Sequence, residues 1–139
     1  GLRLGDHVML TQSLGSSIAD AATTVVSGGP LLVENGRVNV RTAEEQMAPD
    51  IARGRAPRTA IGLKQDGTLL LLVVDGRSSA SAGMTLAELA QYFVKLGAVS
   101  AVNYDGGGSS EMVINGKIVN NPSDGRERLV SIGLGLFIK

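Results

Sequence analysis

Residues 102–112 read Val-Asn-Tyr-Asp-Gly-Gly-Gly-Ser-Ser-Glu-Met, and they join two predicted strands. The apolar run Val99 to Tyr104 passes directly into one carboxylate, three glycines and two hydroxyls. Consecutive glycines cost conformational entropy, but they let backbone approach a ligand closely. Amides in such a turn can line an anion site, and Ser109 and Ser110 would add hydroxyl donors. The alternative is an ordinary tight turn, because Asp, Gly and Ser are common turn residues.

The composition outside this stretch is that of a globular domain. The chain has 139 residues, of which 43% are apolar and 19% charged, enough for one domain with a core. Aromatic residues are 3%, which argues against a base-stacking surface, and 13 basic and 13 acidic residues cancel. Nucleic acid is therefore not an expected partner. No cysteine is present, which excludes disulfides and thiol chemistry, and no apolar run is long enough to span a membrane.

Three Asx-Gly pairs predict β-hairpins, at Asn35-Gly36, Asp66-Gly67 and Asn115-Gly116. The strands around the second pair are Arg58 to Lys64 and Thr68 to Val74. Because residues 69–74 are all apolar, we interpret them as a central strand covered on both faces.

Two further strands are predicted at the ends of the chain. Residues 6–11 alternate weakly, whereas residues 130–138 alternate apolar and small residues and indicate a half-covered strand. Residues 11–21, rich in Ser and Gly, are interpreted as a loop.

Two capping boxes predict helices. Thr42 with Glu45 should begin a short helix that Pro49 breaks, while Thr85 with Glu88 should begin a longer one ending at Gly97. The expected fold class is therefore α+β: a single domain with a mixed, mostly antiparallel sheet, hairpins and one main helix at about 85–97 packed on it.

Two predicted strands end alike, residues 69–74 in Asp75-Gly76-Arg77 and residues 99–104 in Asp105-Gly106-Gly107. The main helix lies between them, so a strand–helix–strand unit would place both carboxylates at one sheet edge. Two such carboxylates can act as proton donor and as base or nucleophile. They could instead hold a divalent cation such as calcium or magnesium. In the plainer interpretation each Asp caps its own turn.

The arginines beside turns are suited to phosphate, because guanidinium is a planar, charged donor. They are Arg58, Arg77, Arg126 and Arg128, and each alone could equally be a solvated surface charge. A second glycine turn, residues 27–30, could complete a polar pocket. His7 is the only histidine and is interpreted as structural or surface rather than catalytic.

Six ordered blocks resemble the phosphodiester glycosidase domain family, and together they extend over almost the whole chain. The blocks are residues 28–33 (GGPLLV), 58–62 (RTAIG), 73–77 (VVDGR), 81–89 (SAGMTLAEL), 103–110 (NYDGGGSS) and 121–128 (NPSDGRER).

The resemblance implies a hydrolase that cleaves a sugar-1-phosphodiester bond in a glycan, exopolysaccharide or envelope polymer. It also implies an extracellular or cell-envelope location. Carried over position by position, it assigns catalysis to Asp75 and Asp105. The substrate-binding set is Gly28, Gly29, Arg58, Thr59, Arg77, Gly106, Gly107, Gly108, Ser109, Ser110 and Arg128.

The resemblance also has one departure. Family members usually carry an upstream Asn-Gly-x-Phe-Phe segment, which this sequence lacks, so residues 1–139 are expected to be an N-terminally incomplete domain. An open sheet edge would favour a homo-oligomer or association with the missing segment. The alternative function is a non-catalytic envelope module that binds phosphorylated glycan with the same residues.

Overall fold

The computed structural model describes residues 1, 3–9, 13 and 15–137 of the chain. Its helices are α1 (Ser17–Ala21), α2 (Pro49–Ala52) and α3 (Leu86–Lys95), with a 3-10 turn at Gly107–Ser109. Its strands are β1 (Leu31–Glu34), β2 (Arg37–Val38), β3 (Arg58–Lys64), β4 (Leu69–Val74), β5 (Ala98–Asn103), β6 (Val113–Ile114) and β7 (Lys117–Ile118).

Five strands form one sheet in the order β2-β1-β5-β3-β4, and β6 and β7 form a separate hairpin. Every neighbouring pair is antiparallel. The α+β class with one main helix is thereby confirmed. Because β4 and β5 both run antiparallel to β3, they run parallel to each other with β3 between them. Their carboxyl ends therefore lie at the same edge, as predicted.

The main helix forms as its capping box indicates. The Glu88 amide donates to the Thr85 hydroxyl, and the Glu88 carboxylate accepts from the Thr85 amide. The helix ends before Gly97, which adopts φ +85°, a conformation that glycine favours. Both termini of the helix are therefore specified locally.

The core lies between α3 and one face of the sheet. Phe93 is fully buried and its ring rests on Gly62 of β3, where a Cβ would lie 2.6 Å from two ring carbons. Only glycine allows this approach. The other buried apolar residues are Leu32, Val33, Ala60, Leu86, Leu89, Ala90, Ala98 and Ala101.

The hairpin predictions are confirmed for β1–β2, β3–β4 and β6–β7. Asn35 and Asn115 both have φ 51°, the left-handed conformation that Asn tolerates at turns. The first hairpin is shorter than expected, since β2 ends at Val38.

The interpretation of residues 69–74 as a central, doubly covered strand is wrong. β4 is an edge strand, and Leu69 and Leu71 keep 43% and 37% of their surface exposed. Helix α3 covers only the other face, on which Leu70, Leu72 and Val74 pack against the core. An apolar run shows that both faces of a strand are apolar. It does not show whether another element covers each face.

The last predicted strand is also not formed. Residues 132–137 carry no regular structure, Leu129 and Phe137 are almost fully exposed, and Ile138 lies outside the described residues. A strand needs a hydrogen-bonded neighbour, and alternation alone does not supply one.

Three smaller expectations are corrected as well. Thr42 to Gln46 forms turns rather than a helix, and Gln46 has φ 52°. Residues 17–21 of the predicted loop form α1. Residues 6–9 form no strand, and residues 10 and 11 lie outside the described part.

Candidate active site at one edge of the sheet

Four chain segments meet at one edge of the sheet, by which we mean the side formed by the strand ends and not an outermost strand. β3 begins there at Arg58 and β1 at Leu31, while β4 and β5 end there and pass into Asp75 and Asp105. The predicted site residues come from these four segments and from the loop of residues 120–128. Most of that set is thus brought to one end of the molecule.

The glycine-rich turn after β5 is closed by its own hydrogen bonds. The amides of Gly106, Gly107, Ser109 and Ser110 donate respectively to Asp105 Oδ1, Pro57 O, Gly106 O and Gly107 O, at 2.9–3.2 Å. These four amides are therefore already used within the protein. Asp105 itself is exposed at the surface of the turn.

Arg77 reaches from the turn after β4 to the turn after β5. Its guanidinium nitrogens lie 3.4 and 3.5 Å from where a Cβ of Gly107 would be. Arg77 is exposed and has φ 58°, an uncommon conformation for a residue with a long side chain. Such backbone conformations persist where the surrounding structure imposes them, often at functional sites. A cation is thereby placed against the glycine-rich turn.

Arg58 is buried, with 3% of its surface exposed. Its guanidinium donates to the carbonyls of Ile51, Gly54 and Met84. Burial, and then the positive charge of Arg77, lower the pKa of Arg58 below its usual value. Three of its five N–H groups are engaged, so its geometry is that of a structural support beside Arg77. An anion bound here would relieve the repulsion between the two cations.

Asp75 is held by the loop of residues 120–128. Its carboxylate accepts from Asn120 Nδ2 at 3.0 Å, from the Asn121 amide at 3.0 and 3.1 Å and from Asn121 Nδ2 at 3.2 Å. Burial alone would raise the pKa of Asp75, but these hydrogen bonds outweigh it and leave the pKa below its usual value. Asp75 is consequently a stable carboxylate rather than a proton donor at neutral pH.

Two predicted hydroxyl ligands, the partly exposed Thr59 and the buried Ser110, face each other. Thr59 Oγ1 lies 3.2 Å from Ser110 Oγ, and Ser110 is 1% exposed. Ser109, in the 3-10 turn, is partly exposed. Of the two serines, only Ser109 is placed where a ligand could reach its side chain without a rearrangement.

Arg128 lies over the same turn but pairs with a carboxylate. Its guanidinium is 2.5 Å from Asp124 Oδ2. A Cβ at Gly108 would lie 2.6 Å from both Asp124 oxygens and 2.7 Å from Arg128 Cζ. Gly108 therefore allows this ion pair to rest directly on the backbone.

The second glycine turn packs against the end of β5. The Gly29 amide donates to the Asn103 carbonyl at 2.7 Å, and a Cβ at Gly28 would lie 2.7 Å from that same oxygen. The Asn103 side chain returns a hydrogen bond to Gly29 O. Glu45 crosses over Gly29 and accepts from the Leu31 amide at 2.9 Å. Close backbone contact explains both glycines.

Sequence reasoning missed four polar residues at this edge: Glu45, Asn120, Asn121 and Asp124. Asp124 precedes Arg128 by four residues, a spacing that could have indicated the ion pair. The pattern Thr42-x-x-Glu45 instead pointed to a helix start. The contacts of Asn120 and Asn121 span 45 and 46 residues and leave no local signal.

Two further properties of residues 1, 3–9, 13 and 15–137 concern metal binding and membrane insertion. Among them, no group of three or more His, Cys, Asp or Glu side chains is arranged to hold a metal ion. Nor does that part of the chain contain a helix of the length and apolarity needed to cross a membrane.

The fold and the site define an α+β domain with an exposed cation and an exposed carboxylate at one sheet edge. Residues 2–137 match the family model described as phosphodiester glycosidase. The chain belongs to the phosphodiester glycosidase family.

Individual relatives agree with the family model. Over 90 residues the chain is 44% identical to an uncharacterised SPbeta prophage-derived protein, YomE, of Bacillus subtilis, which corresponds to 65% of this chain and 14% of that protein. Over 67 residues it is 45% identical to N-acetylglucosamine-1-phosphodiester alpha-N-acetylglucosaminidase of Bos taurus, covering 48% of this chain and 12% of that protein.

A solved structure gives the same result. The catalytic domain of the zebrafish enzyme of that name, auto-inhibited by its pro-peptide, superposes with a TM-score of 0.61 and 30% identity. The match covers 70% of this chain and 34% of the zebrafish chain. The present chain thus spans only a minor part of the relatives it matches.

Proposed function

We propose that the protein hydrolyses a sugar-1-phosphodiester, releasing the free sugar and leaving the phosphate on its other partner. The observation that carries this proposal is the contact between the two strand-end turns, which sets the Arg77 guanidinium against Gly107. Asp105, two residues earlier, is exposed beside it. A phosphate joined to an anomeric carbon needs such a neighbouring cation and carboxylate.

The family and the names of its members support the same bond. The cattle and zebrafish proteins are named for N-acetylglucosamine-1-phosphodiester and for release of α-N-acetylglucosamine. The proposed substrate is therefore a glycan or envelope polymer that carries this phosphodiester, and α-linked N-acetylglucosamine is the first sugar to test. Both the identity of the sugar and the identity of the group on the other side of the phosphate are proposals.

In the proposed reaction a water oxygen attacks the anomeric carbon while the bond from that carbon to the bridging oxygen breaks. The bonding electron pair leaves on the phosphate, which becomes a monoester, and Asp105 accepts the proton of the water. The products are a free sugar, a phosphomonoester and one proton. Arg77 stabilises the charge that develops on the phosphate.

The remaining residues of the set have supporting roles in this proposal. Arg58 fixes the start of β3 through three carbonyls, and Thr59 is hydrogen-bonded to the buried Ser110 beneath the glycine-rich turn. Ser109 is the hydroxyl placed to contact the phosphate. Arg128 contributes less charge than Arg77, because Asp124 neutralises it.

The test is hydrolysis of the methyl phosphodiester of α-N-acetylglucosamine 1-phosphate in ¹⁸O-labelled water. We expect free sugar and methyl phosphate in equal amounts, with the label in the sugar. Label in the phosphate would contradict attack at the anomeric carbon. Binding of the substrate without any product would contradict the hydrolase and favour the phosphoglycan-binding module.

We also propose that the protein works at the cell envelope or outside the cell, which rests on the family resemblance. Fractionation of cells producing the protein, followed by immunoblotting, tests this. Detection only in the cytosolic fraction would contradict it.

A further inference from the structure

The two aspartates each follow a strand that ends at this edge, but they have different partners. Asp105 is exposed, and its Oδ1 accepts from the adjacent Gly106 amide. Asp75 accepts four hydrogen bonds from Asn120 and Asn121. A carboxylate offers about four lone-pair directions, so that of Asp75 is largely occupied.

Asn120 connects Asp75 to two further segments. Its Nδ2 also donates to Ser110 O at 3.1 Å, and its Oδ1 accepts from the Met112 amide at 2.8 Å. The turn after β4, the end of the glycine-rich turn and the start of the loop of residues 120–128 are thus joined at one side chain.

The far end of the same loop reaches the candidate site. The Gly125 amide donates to Pro122 O, and the ion pair of Asp124 and Arg128 then rests on Gly108. One end of the loop is thus bound to Asp75, and the other end lies against Gly108. The later residues of the loop, Gly125, Arg126, Glu127 and Arg128, are all exposed.

We infer that Asp75 is a positioning residue that fastens the loop of residues 120–128 to the glycine-rich turn, and that Asp105, rather than Asp75, is the strand-end carboxylate that acts in catalysis. This inference deepens the proposed function and, for its chemical consequence, rests on it. The hydrogen bonds that hold Asp75 also lower its pKa, which is the opposite of what a proton donor requires.

A structural role for Asp75 restricts the substrate class, because it removes one of the two strand-end carboxylates from the reaction. Ordinary alkyl glycosides need a general acid to protonate the departing oxygen, whereas a phosphate or a nitrophenolate departs without a proton. The enzyme should therefore cleave sugars whose leaving group is already a stable anion, and it should leave alkyl glycosides intact.

The experiment compares three α-glycosides of one sugar in the full chain: the methyl phosphodiester, the 4-nitrophenyl glycoside and the methyl glycoside. We expect cleavage of the first two and not of the third. Methyl glycoside cleavage at a rate comparable to the phosphodiester would overturn the inference that no strand-end aspartate serves as general acid. If none of the three is cleaved, both the proposed hydrolase function and the inferred class of substrates with stable anionic leaving groups are contradicted.

The positioning role is tested separately by Asp75→Asn and Asn120→Ala, with Asp66→Asn at the opposite end of the sheet as a matched control. Amide hydrogen exchange of residues 120–128 should quicken in both variants and not in the control. We expect KM to rise about tenfold in each, the effect of one charged hydrogen bond, with kcat and its pH profile little changed. The double variant should be no worse than either single one.

Two results would contradict the positioning role. One is loss of kcat in Asp75→Asn while Asn120→Ala behaves as the unaltered protein, which would make Asp75 catalytic. The other is unchanged exchange of residues 120–128 in both variants. The exchange measurement needs no substrate, so it decides the role of Asp75 even if no hydrolysis occurs.

Discussion

The turns that follow β4 and β5 begin with the same residues, an Asp and a Gly, and the fold uses them differently. After β4 the Asp75 carboxylate is engaged by Asn120 and Asn121, while the exposed Arg77 lies against Gly107 of the other turn. After β5 it is Asp105 that is exposed, and the glycines behind it are packed under other groups. A shared motif at a shared edge therefore does not imply a shared role. The partners of each side chain decide whether it anchors structure or faces substrate.

The largest effect should come from the free carboxylate. Asp105→Asn keeps the size of the side chain but removes its basicity, so we expect kcat for sugar release to fall by about 10²–10⁴-fold. Asp66→Asn, in the turn at the other end of the sheet, is the control. If Asp105→Asn releases sugar as fast as the control does, the turn after β5 has no catalytic carboxylate and the two turns do not differ in this respect.

The next effect concerns the exposed arginine of the first turn. Arg77→Asn removes the charge, and Asn tolerates the φ of 58° found there. Loss of a charged hydrogen bond to phosphate should raise KM by about 10–100-fold. Arg37→Asn, at the far end of the sheet, should change nothing. Unaltered KM in Arg77→Asn would show that phosphate is held elsewhere.

Alanine substitutions of Gly76 and Gly108, one in each turn, separate an effect on stability from an effect on activity. A Cβ at Gly76 would lie 2.8 Å from Pro57 N and 3.0 Å from Gly83 Cα, which are backbone atoms, so Gly76→Ala should destabilise the fold by about 1–3 kcal/mol. At Gly108 the clash is with the Asp124 and Arg128 side chains, which can swing outward.

Gly108→Ala should accordingly lower kcat/KM with a smaller loss of stability. Denaturant unfolding and kinetics of the two variants check this. Equal losses of stability would mean that the glycine-rich turn is as rigidly packed as the first.

The smallest effect is on pH dependence. Because the folded pKa of Asp75 is lowered, its stabilising contribution is complete above the ordinary carboxyl pKa of about 3.9 and is lost as pH falls through the folded value. Asp75→Asn should therefore lower the melting temperature at pH 7 more than at pH 3. An equal decrease at both pH values would contradict an ionised anchor.

Much of the structure at this edge could be predicted from local sequence. Thr85, Glu88 and Gly97 specify both ends of α3, and apolar runs ending in Asp75 and Asp105 indicate where two strands stop. The parallel direction of those strands follows from the helix between them.

What local sequence did not reveal depends on distant contacts. Glu45 fits the same capping pattern as Glu88, but it binds the Leu31 amide instead, because tertiary contact offered a competing donor. The run of residues 69–74 does not reveal that β4 lies at the sheet edge. The partners of Asp75 lie 45 and 46 residues away and were not predictable from spacing.

The division between the two aspartates is tested most directly by a crystal structure with a non-hydrolysable α-N-acetylglucosaminyl phosphonate. We expect the phosphonate oxygens at about 2.7–3.2 Å from the Arg77 guanidinium and the anomeric carbon beside Asp105. Asp75 should still be bound to Asn120 and Asn121. A phosphonate or sugar bound to Asp75, with the loop of residues 120–128 displaced, would contradict the assignment of Asp75 as an anchor and Asp105 as the catalytic group.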